Sequence, residues 1–366
     1  MKLKKLLCCI LSTVFAAVPI ISGCSSSDSS VSLFDLAGQQ ISSQSVSSVP
    51  SQTESLPGPA ESSYLPEPSV PQPSQPPVSV PQPAGSEITP ALWKAENSAG
   101  NSVYLMGSLH MGDDAVNYMP DYINNAFNEC TALAVEADID SILADQTKLQ
   151  ALAPKIVYSD GTTIKDHISE TTYNGVVELL KNSNAYQQVY DYYTIFMWQS
   201  IVPSVIPVAT TLNIQNGVDL TMLKRAKNDG KQILEVESIE FQIDMFNSFS
   251  DGLSDAILAE YLNPNYGQAM SVYLSQLYTM WKNGTVDESL VLTGTFLDPN
   301  SVNYEYVQEY YNKLLKERNV GMARTIEGYI DGGQKVFVLV GAFHYVGQDG
   351  IISLLQRDGY TVSRVI

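Results

Sequence analysis

Residues 336–344 read Val-Phe-Val-Leu-Val-Gly-Ala-Phe-His, an unbroken apolar run that leads through a glycine to a histidine. An apolar run of this length, placed after the helix-breaking glycines at 332–333, is typical of a strand buried on both faces of a sheet. The pattern occurs a second time from Ser102 to His110, where a strand-like segment continues into Gly107-Ser-Leu-His110. The chain therefore carries two predicted strands that each end in a Gly-x-x-His motif.

Other short apolar strands alternate with helical segments on either side of these two motifs. The first, Leu92 to Ala95, is joined to the Ser102 strand by a turn-rich link, which predicts a β-hairpin. The remaining predicted strands are 132–135, 233–236 and 361–366, and the predicted helices lie within 120–130, 219–229, 238–278, 304–330 and 350–357. This alternation predicts an α/β fold, in which helices flank a mixed central sheet and the stretch from Asp140 to about Val208 forms a mainly helical insertion.

The N-terminus has the features of a bacterial lipoprotein signal peptide, in the order that such a peptide requires. Three lysines within the first five residues precede an apolar stretch from Leu6 to Ile21, which is too short and too interrupted for a membrane span. The stretch ends in Ile21-Ser-Gly-Cys24, which predicts a signal peptide over 1–23 and lipidation of Cys24. An uncleaved anchor and a plain secretion signal are the alternatives. Each of them also exports the chain, and the lipoprotein interpretation places it on the extracytoplasmic face of the cell membrane.

Residues 24–88 have a composition that predicts a disordered linker. They are rich in Ser, Pro, Val and Gln, and Val70-Pro-Gln-Pro recurs as Val80-Pro-Gln-Pro. Such a segment cannot bury enough apolar surface to offset the entropy that ordering would cost. We therefore expect a lipidated tether over 24–88 and one folded domain over 89–366.

The composition is strongly acidic, with a formal net charge of −19 at pH 7. This charge excludes nucleic acid as a partner and also direct adsorption to anionic lipid, so the predicted acyl group must hold the protein to the membrane. Of the four cysteines, two lie in the predicted signal peptide and Cys24 is the lipidation site. Cys130 is left in the folded domain, which excludes an intrachain disulfide and favours a small buried residue in a helix.

Three side chains that can bind a metal ion follow predicted strands. His110 and His344 end the two Gly-x-x-His motifs, and Glu136 follows the strand 132–135. In open α/β sheets, functional groups gather at the carboxyl ends of the strands. Two imidazoles and one carboxylate leave an open position on a divalent ion, as in catalytic sites, and zinc, manganese, cobalt and iron all accept this ligand set. Taken singly, each histidine also fits a hydrogen-bonded structural residue, and Glu136 also fits a surface charge.

The motifs, taken in order, resemble those of the TraB/GumN family. The matching segments are the two Gly-x-x-His motifs, Val135-Glu136, Gly217-Val-Asp219, Glu237 with Gln242, and Arg318-Asn-Val-Gly-Met322. The likeness extends from Leu92 to Ile366. This family is related to the Tiki membrane-tethered metalloproteases and, more distantly, to erythromycin-esterase-like and ChaN-like proteins. The resemblance implies a shared α/β fold in which His110, Glu136 and His344 bind a metal ion.

Three charged residues are candidate catalytic groups: Glu136, Glu237 and Arg318. Glu136 or Glu237 would move a proton, and Glu237 also fits a residue that orients a histidine ligand. Arg318 would hold a substrate carboxylate or stabilise an oxyanion, because its guanidinium offers a fixed fork of donors. Without the family pattern, Glu237 fits a strand-end charge about as well, and Arg318 fits an exposed arginine at the start of a helix better.

Three other features of the sequence have structural interpretations. Asp219 is predicted to cap a helix rather than to take part in catalysis. His167 lacks the Gly-x-x-His context and is predicted to lie on the surface. The aromatic run from Tyr186 to Trp198 can line a cleft, but such residues more often belong to a core. We therefore predict that this run belongs to the core.

The sequence and the resemblance together predict a lipid-anchored, metal-dependent hydrolase that acts on peptides or proteins outside the cytoplasm. The alternative is a module that binds or sequesters a peptide without cutting it, because members of the resembled family are linked to the shutdown of peptide-pheromone signalling. A structural envelope protein with inert histidines is the third hypothesis. The enzymatic hypothesis requires His110, His344 and Glu136 to lie close together in the fold.

Overall fold

A computed structural model describes residues 88–287 and 304–365 of the chain. The predicted signal peptide 1–23, the predicted lipidation site Cys24 and the predicted linker up to residue 87 lie outside the described residues, as do 288–303 and residue 366. Within the described ranges, no helix has both the length and the hydropathy that a membrane crossing requires.

Six strands form one mixed sheet in the described part of the chain. In chain order they are β1 (Leu92–Glu96), β2 (Ser102–Ser108), β3 (Ala132–Val135), β4 (Gln232–Glu235), β5 (Val336–Gly341) and β6 (Thr361–Arg364). Across the sheet their order is β4-β3-β5-β2-β1-β6. The first four strands of this order run parallel to one another, whereas β1 is antiparallel to both β2 and β6. This topology confirms the predicted mixed α/β sheet and the predicted N-terminal hairpin.

Twelve α-helices accompany the sheet within the described ranges. They are α1 (Asp121–Glu129), α2 (Ile139–Ala144), α3 (Gln146–Leu152), α4 (Glu170–Asn182), α5 (Ile195–Ile201), α6 (Val218–Asn228), α7 (Ile239–Asn247), α8 (Asp251–Glu260), α9 (Tyr266–Lys282), α10 (Tyr304–Tyr311), α11 (Arg318–Asp331) and α12 (Ile351–Arg357). Helices α2 to α5 form the predicted helical insertion. The helix predicted across 304–330 is interrupted, because a π-helical segment, Asn312–Glu317, joins α10 to α11.

Helices cover both faces of the sheet, and the alternation of side chains along each strand separates two cores. On one face Leu105 and Val338 pack in a cluster with apolar residues of α11 and α12. On the other face Met106 and Leu339 belong to a larger cluster that includes residues of α1, α6 and the helical insertion. The inner strands β3 and β5 are therefore buried on both sides, which explains their continuous apolar sequences.

The two Gly-x-x-His motifs leave neighbouring strands with an offset of one residue. β2 and β5 are parallel, with Gly107 opposite Val340 and Ser108 opposite Gly341. Because side chains alternate between the faces of a sheet, the glycines of the two motifs belong to opposite faces. Gly107 also leaves room for the second motif, since a Cβ placed there would lie 2.8 Å from the Cα of Ala342. The two motifs therefore pack directly against each other.

The segments on either side of the β1–β6 pair are held at one corner of the fold. The Val365 N–H donates to the carbonyl oxygen of Leu92 at 2.8 Å, which extends the pairing of the two strands. The Thr89 N–H donates to the carbonyl of Lys282 at 2.6 Å, and Arg364 Nη2 donates to the carbonyl of Gly284 at 2.8 Å. Both segments are thus anchored to the turn that follows α9.

Candidate active site

The carboxyl ends of β2, β3 and β5 bring the predicted site residues to one edge of the sheet. His110 follows β2, Glu136 follows β3 directly, and His344 lies in a short 3-10 turn after β5. The Glu136 Oε1 and His344 Nε2 atoms are 3.8 Å apart. His110 and Glu136 line the same cleft. Adjacent parallel strands thus place the three side chains beside one another, as this class of fold does with its functional groups.

Arg318 is the central positive charge of the site, and its side chain is fully buried. Its Nε donates to both carboxylate oxygens of Glu237 at 3.1 Å, and its Nη2 donates to Glu136 Oε2 at 2.8 Å and to Glu237 Oε1. Burial lowers the pKa of Arg318, but the carboxylates of Glu237 and Glu136 outweigh that effect and raise it. The guanidinium therefore stays charged and holds two carboxylates in fixed positions.

The Glu136 carboxylate is held from several sides. The Gly341 N–H donates to Oε1 at 2.7 Å, which ties the carboxylate to the second Gly-x-x-His motif. Gln242 Nε2 donates to Glu136 Oε2 at 3.3 Å and to Glu237 Oε1 at 2.6 Å, so the amide bridges the two glutamates. A carboxylate oxygen has about two acceptor sites, so Oε1 keeps one beyond the site that Gly341 uses.

His344 is completely buried, and an amide sets its orientation. Its Nδ1 lies 2.5 Å from Asn319 Oδ1, while Asn319 Nδ2 donates to the carbonyl of Asp349 at 2.9 Å. Because an amide oxygen can only accept, Nδ1 carries the proton and Nε2 presents a lone pair in the neutral ring. Burial, followed by the charge of Arg318, lowers the pKa of His344 well below its usual value. The ring is therefore neutral at physiological pH.

His110 is mostly buried, and a carboxylate sets its orientation instead. Its Nδ1 lies 2.5 Å from Asp219 Oδ2. Since the carboxylate accepts, Nδ1 carries a proton, and Nε2 is the atom that gains or loses one. Burial lowers the pKa of His110, but the charges of Asp219 and, more weakly, of Glu136 outweigh that effect, so its pKa is raised above the usual value. The pKa values of the two motif histidines are thus shifted in opposite directions.

The prediction that Asp219 caps a helix is wrong. Helix α6 begins at Val218, Gly217 occupies its N-cap position, and Asp219 lies in the first turn with its carboxylate on His110. The Gly217-Val-Asp219 segment is among the matching motifs, but its distance along the chain from His110 gave no indication of this pairing. Asp219 is therefore a functional candidate that analysis of the sequence missed.

Backbone contacts between two loops place Asp219 beside His110. Gly112 and Asn213 exchange backbone hydrogen bonds of 3.1 and 2.9 Å, and the Val218 N–H donates at 2.7 Å to the carbonyl of the residue before His110. Gly217 allows the close approach, since a Cβ placed there would lie 2.6 Å from the His110 carbonyl oxygen. The glycine is therefore required by the contact between the loops rather than by a positive φ.

A cleft of about 730 Å³, its open mouth included, adjoins His110. Its polar lining consists of Ser108, His110 and three acidic residues, and its apolar lining is aliphatic: Val135, Ala137, Ile139, Ile214, Leu220, Leu223 and Leu339. A second cleft of about 400 Å³ shares Ser108 and His110 with the first and is otherwise lined by residues of α9 and of the second motif, among others. His110 thus forms part of the wall between the two clefts.

Comparison with known proteins assigns the chain to a family. The profile of the TraB/PrgY/gumN family matches residues 91–364. The chain belongs to the TraB/PrgY/gumN family. Two similar proteins are the uncharacterized protein YbaP of Escherichia coli (strain K12) and the uncharacterized protein YbaP of Shigella flexneri. Each is 23% identical over 255 residues, which cover 69% of this chain and 87% of the relative. The family assignment confirms the resemblance inferred from the motifs.

In this TraB/PrgY/gumN protein, the third histidine has other partners than the motif histidines. His167 Nδ1 lies 2.9 Å from Asp251 Oδ1, and its Nε2 lies 2.9 Å from Thr162 Oγ1. The ring stacks on Tyr158 at 4.3 Å between centroids. The predicted surface position is only partly right, because three-quarters of the side chain is covered. His167 connects a loop of the helical insertion to the start of α8.

Most of the aromatic run and Cys130 belong to the packed interior. Tyr190, Tyr193, Phe196 and Trp198 are buried, which confirms their assignment to the core, whereas Tyr186 is partly exposed and the prediction is wrong for Tyr192, which is exposed. Cys130 is buried and free, as predicted, although α1 ends one residue before it. Burial raises the pKa of its thiol to about 12, so the sulfur is protonated at physiological pH.

Within residues 88–287 and 304–365, no group of three or more His, Cys, Asp or Glu side chains has an arrangement that could hold a metal ion. A three-ligand site formed by His110, Glu136 and His344 therefore remains a proposal.

Proposed function

We propose that this protein is a lipid-anchored, extracytoplasmic hydrolase of peptides that depends on a divalent metal ion. The observation that carries the proposal is the gathering of His110, His344 and Glu136 at one sheet edge, beside the buried Arg318 and an apolar cleft. The cellular location rests on the sequence, namely the signal peptide pattern over 1–23 and the lipid-accepting Cys24. The membrane is thus a partner through the acyl group.

The orientation of both histidines supports a metal site. A histidine that binds a metal commonly donates its other ring N–H to a carboxylate or a carbonyl oxygen. Asp219 and Asn319 accept such bonds here, which leaves Nε2 of His110 and His344 as the ligand atoms. Two atoms that share an ion, each about 2.0–2.2 Å from it, lie at most about 4.4 Å apart. The 3.8 Å between His344 Nε2 and Glu136 Oε1 meets that limit.

The charge of the buried network also favours a cation. Arg318 contacts two glutamates, so this trio carries one net negative charge. Negative charge that is buried without compensation is costly. A divalent cation between Glu136 and the two imidazoles would offset it. The donor set suits zinc, manganese, cobalt and iron alike.

The residues of the site then have distinct roles in hydrolysis. When bound, a divalent ion supplies a water nucleophile near neutral pH and polarises the scissile carbonyl. Glu136 Oε1 retains one acceptor site next to His344, which the ion would take, so Glu136 acts in this proposal as a ligand rather than as the group that moves a proton. Arg318 positions Glu136 and Glu237 rather than the substrate, since its side chain is fully buried and its Nε and Nη2 are engaged by the glutamates. Glu237 in turn positions Arg318.

A second function, capture of a peptide without cleavage, is favoured by one observation. The aliphatic cleft beside His110 can bind an apolar side chain whether or not hydrolysis follows. The two functions differ in a simple measurement. Mass spectrometry of a peptide after incubation with the protein shows either intact or shortened material.

The proposal is tested with the purified, detergent-solubilised lipoprotein. Bound metal is measured by elemental analysis, and hydrolysis of a broad peptide set is followed by mass spectrometry with each of the four ions. We expect His110→Ala and His344→Ala to lose both metal and hydrolysis. His167→Ala is the matched control, because it removes a hydrogen-bonded histidine outside the site and should keep both.

Three outcomes separate the hypotheses. A wild-type protein that binds no metal, or folded His110→Ala and His344→Ala variants that bind as much as the wild type, would refute the metal site. Bound metal with every peptide left intact but retained by the protein would establish capture as the function. Circular dichroism of each variant shows whether a loss reflects unfolding instead of a missing ligand.

A further inference from the structure

The cleft beside His110 presents aliphatic side chains that are only partly covered. Ile139 lies at the start of α2, Ile214 in the turn before α6, and Leu220 in α6 itself, and each is partly exposed. Leu223 and Leu339 are buried and close the bottom of the cleft. Apolar surface in a concave site is unfavourable in water, and an apolar group that covers it is stabilised. The lining therefore selects for a non-polar occupant.

The charged groups of the cleft exclude an acidic occupant. Glu136, Asp140 and Asp219 are its charged lining residues beside His110, and none of the residues that line it is Lys or Arg. Asp140 is paired with Lys227 at 3.1 Å, but that lysine stands outside the lining. A carboxylate that entered the cleft would meet three acidic side chains and no lysine or arginine.

The position of the cleft defines which part of a peptide it receives. His110 lies between this cleft and the narrower one, so a peptide bond placed at His110 has a cleft on each side. Side chains on neighbouring residues of an extended chain point in opposite directions. The wider cleft offers the larger space to a side chain such as leucine, about 730 Å³ against about 400 Å³, with the open mouth of each cleft included.

We infer that this cleft is a subsite for an aliphatic side chain of the substrate, on a residue adjoining the peptide bond that is cleaved. The substrate class is accordingly peptides with leucine, isoleucine, valine or methionine at that position. The position of this residue next to the cleaved bond rests on the proposed function. The binding preference of the cleft can be measured without any cleavage.

The experiment compares blocked pentapeptides of the form Gly-Gly-X-Gly-Gly, where X is Leu, Ala, Asn or Asp. Asn has nearly the shape of Leu but is polar. The ratio of the dissociation constants of the Asn and Leu peptides therefore isolates the contribution of apolar contacts to binding. Dissociation constants are measured by calorimetry on the full-length protein, and cleavage is followed by mass spectrometry. We expect Leu to be preferred over Asn by about tenfold or more, with Asp weakest.

Two variants and one control assign that preference to the cleft. Leu220→Ser and Ile214→Ser should each reduce the Leu-to-Asn ratio by roughly threefold, because each removes one of several apolar contacts. Both positions are partly exposed, so we expect both variants to fold. Val272→Ser, which replaces an exposed apolar residue of α9 that lines neither cleft, should leave the ratio unchanged.

The possible outcomes distinguish this inference from the hydrolase proposal. A Leu preference that both variants weaken supports the subsite even if no peptide is cut. Cleavage without a Leu preference, or a preference that neither variant changes, overturns the subsite and leaves the hydrolase in place. Failure of every peptide to bind or to be cut also overturns it.

Discussion

The two Gly-x-x-His motifs have the same pattern but very different surroundings. His344 is completely buried, is oriented by the amide of Asn319, and has a pKa well below the usual value because of burial and of Arg318. His110 borders two clefts, is oriented by the carboxylate of Asp219, and has a raised pKa. One motif therefore provides a fixed neutral imidazole, and the other provides an imidazole that can take up a proton beside the aliphatic cleft.

The register of the sheet explains part of this difference. Gly107 is paired with Val340, and Gly341 with Ser108, so the second motif begins one residue further along the paired strands than the first. A shift of one residue changes the face to which each side chain belongs. Copies of one motif on neighbouring parallel strands thus acquire different partners. The pairing of the strands is therefore one source of the difference between the two histidines.

The largest expected effect is on stability and concerns the buried ion pairs of Arg318 next to His344. Arg318→Met keeps the approximate shape of the side chain but leaves Glu136 and Glu237 without their cation. We expect the free energy of unfolding to fall by about 3–5 kcal/mol, as for other buried ion pairs that lose one partner. Urea unfolding followed by circular dichroism measures it.

The control for this experiment is an exposed ion pair. Lys155→Met removes the partner of Asp244 on the surface and should cost about 0–1 kcal/mol. If Arg318→Met lowered the free energy of unfolding by no more than Lys155→Met, the buried ion pairs of Arg318 would not stabilise the fold as expected.

A smaller effect is expected where the two motifs touch. Gly107→Ala would place a Cβ 2.8 Å from the Cα of Ala342, which cannot move without the second motif. We expect a loss of about 1–3 kcal/mol, the range for overpacked positions. Gly321→Ala is the matched control, because that glycine is exposed in α11 with nothing within 4 Å of the added atom. It should be neutral or stabilise the protein by up to about 1 kcal/mol. A Gly107→Ala variant as stable as wild type would show that the motifs do not constrain each other.

The finest distinction between the motifs is the direction of the two pKa shifts. In chelator-treated protein, NMR titration should show His110 protonating above the usual pKa of histidine and His344 remaining neutral at much lower pH. Asp219→Asn should lower the pKa of His110 and leave that of His344 unchanged. Equal pKa values for the two rings would contradict the structural comparison.

The same shift gives a stability effect whose sign is fixed. Because the pKa of His110 is raised in the folded protein, its ion pair with Asp219 contributes fully below the pKa of the unfolded chain. The contribution is lost as the pH rises through the raised pKa. Asp219→Asn should therefore destabilise the chelator-treated protein more at pH 6 than at pH 8.

The sheet could be predicted from the sequence because its strands are mostly short and apolar, and glycines and other turn-forming residues separate them from neighbouring elements. The run 336–340, the break at Gly332 and Gly333, and the hairpin around Gly100 each have a local cause. The carboxyl-end rule then placed His110, Glu136 and His344 at the same edge. These features depend on neighbours in the chain, or on a general property of parallel sheets.

The parts that could not be predicted depend on contacts between distant residues. Asp219 has the residue type and position of a helix cap, but the backbone pairing of Gly112 with Asn213 turns its carboxylate to His110. Arg318 follows a π-helical segment, which no local propensity indicates, and it is buried rather than exposed at a helix start. In both cases a tertiary contact overrides the local preference.

The corner formed by β1 and β6 has a consequence for engineering the protein. Val365 is hydrogen-bonded to Leu92, and both ends of the described domain contact the turn after α9, so a short peptide could join residue 365 to residue 89. New termini could then be opened in the β1–β2 loop around Gly100, which is solvent-exposed. Such a circular permutant would present the sheet edge that carries His110 and His344 from a different point of attachment, so that its reach from the proposed lipid anchor could be varied without altering any residue of the site.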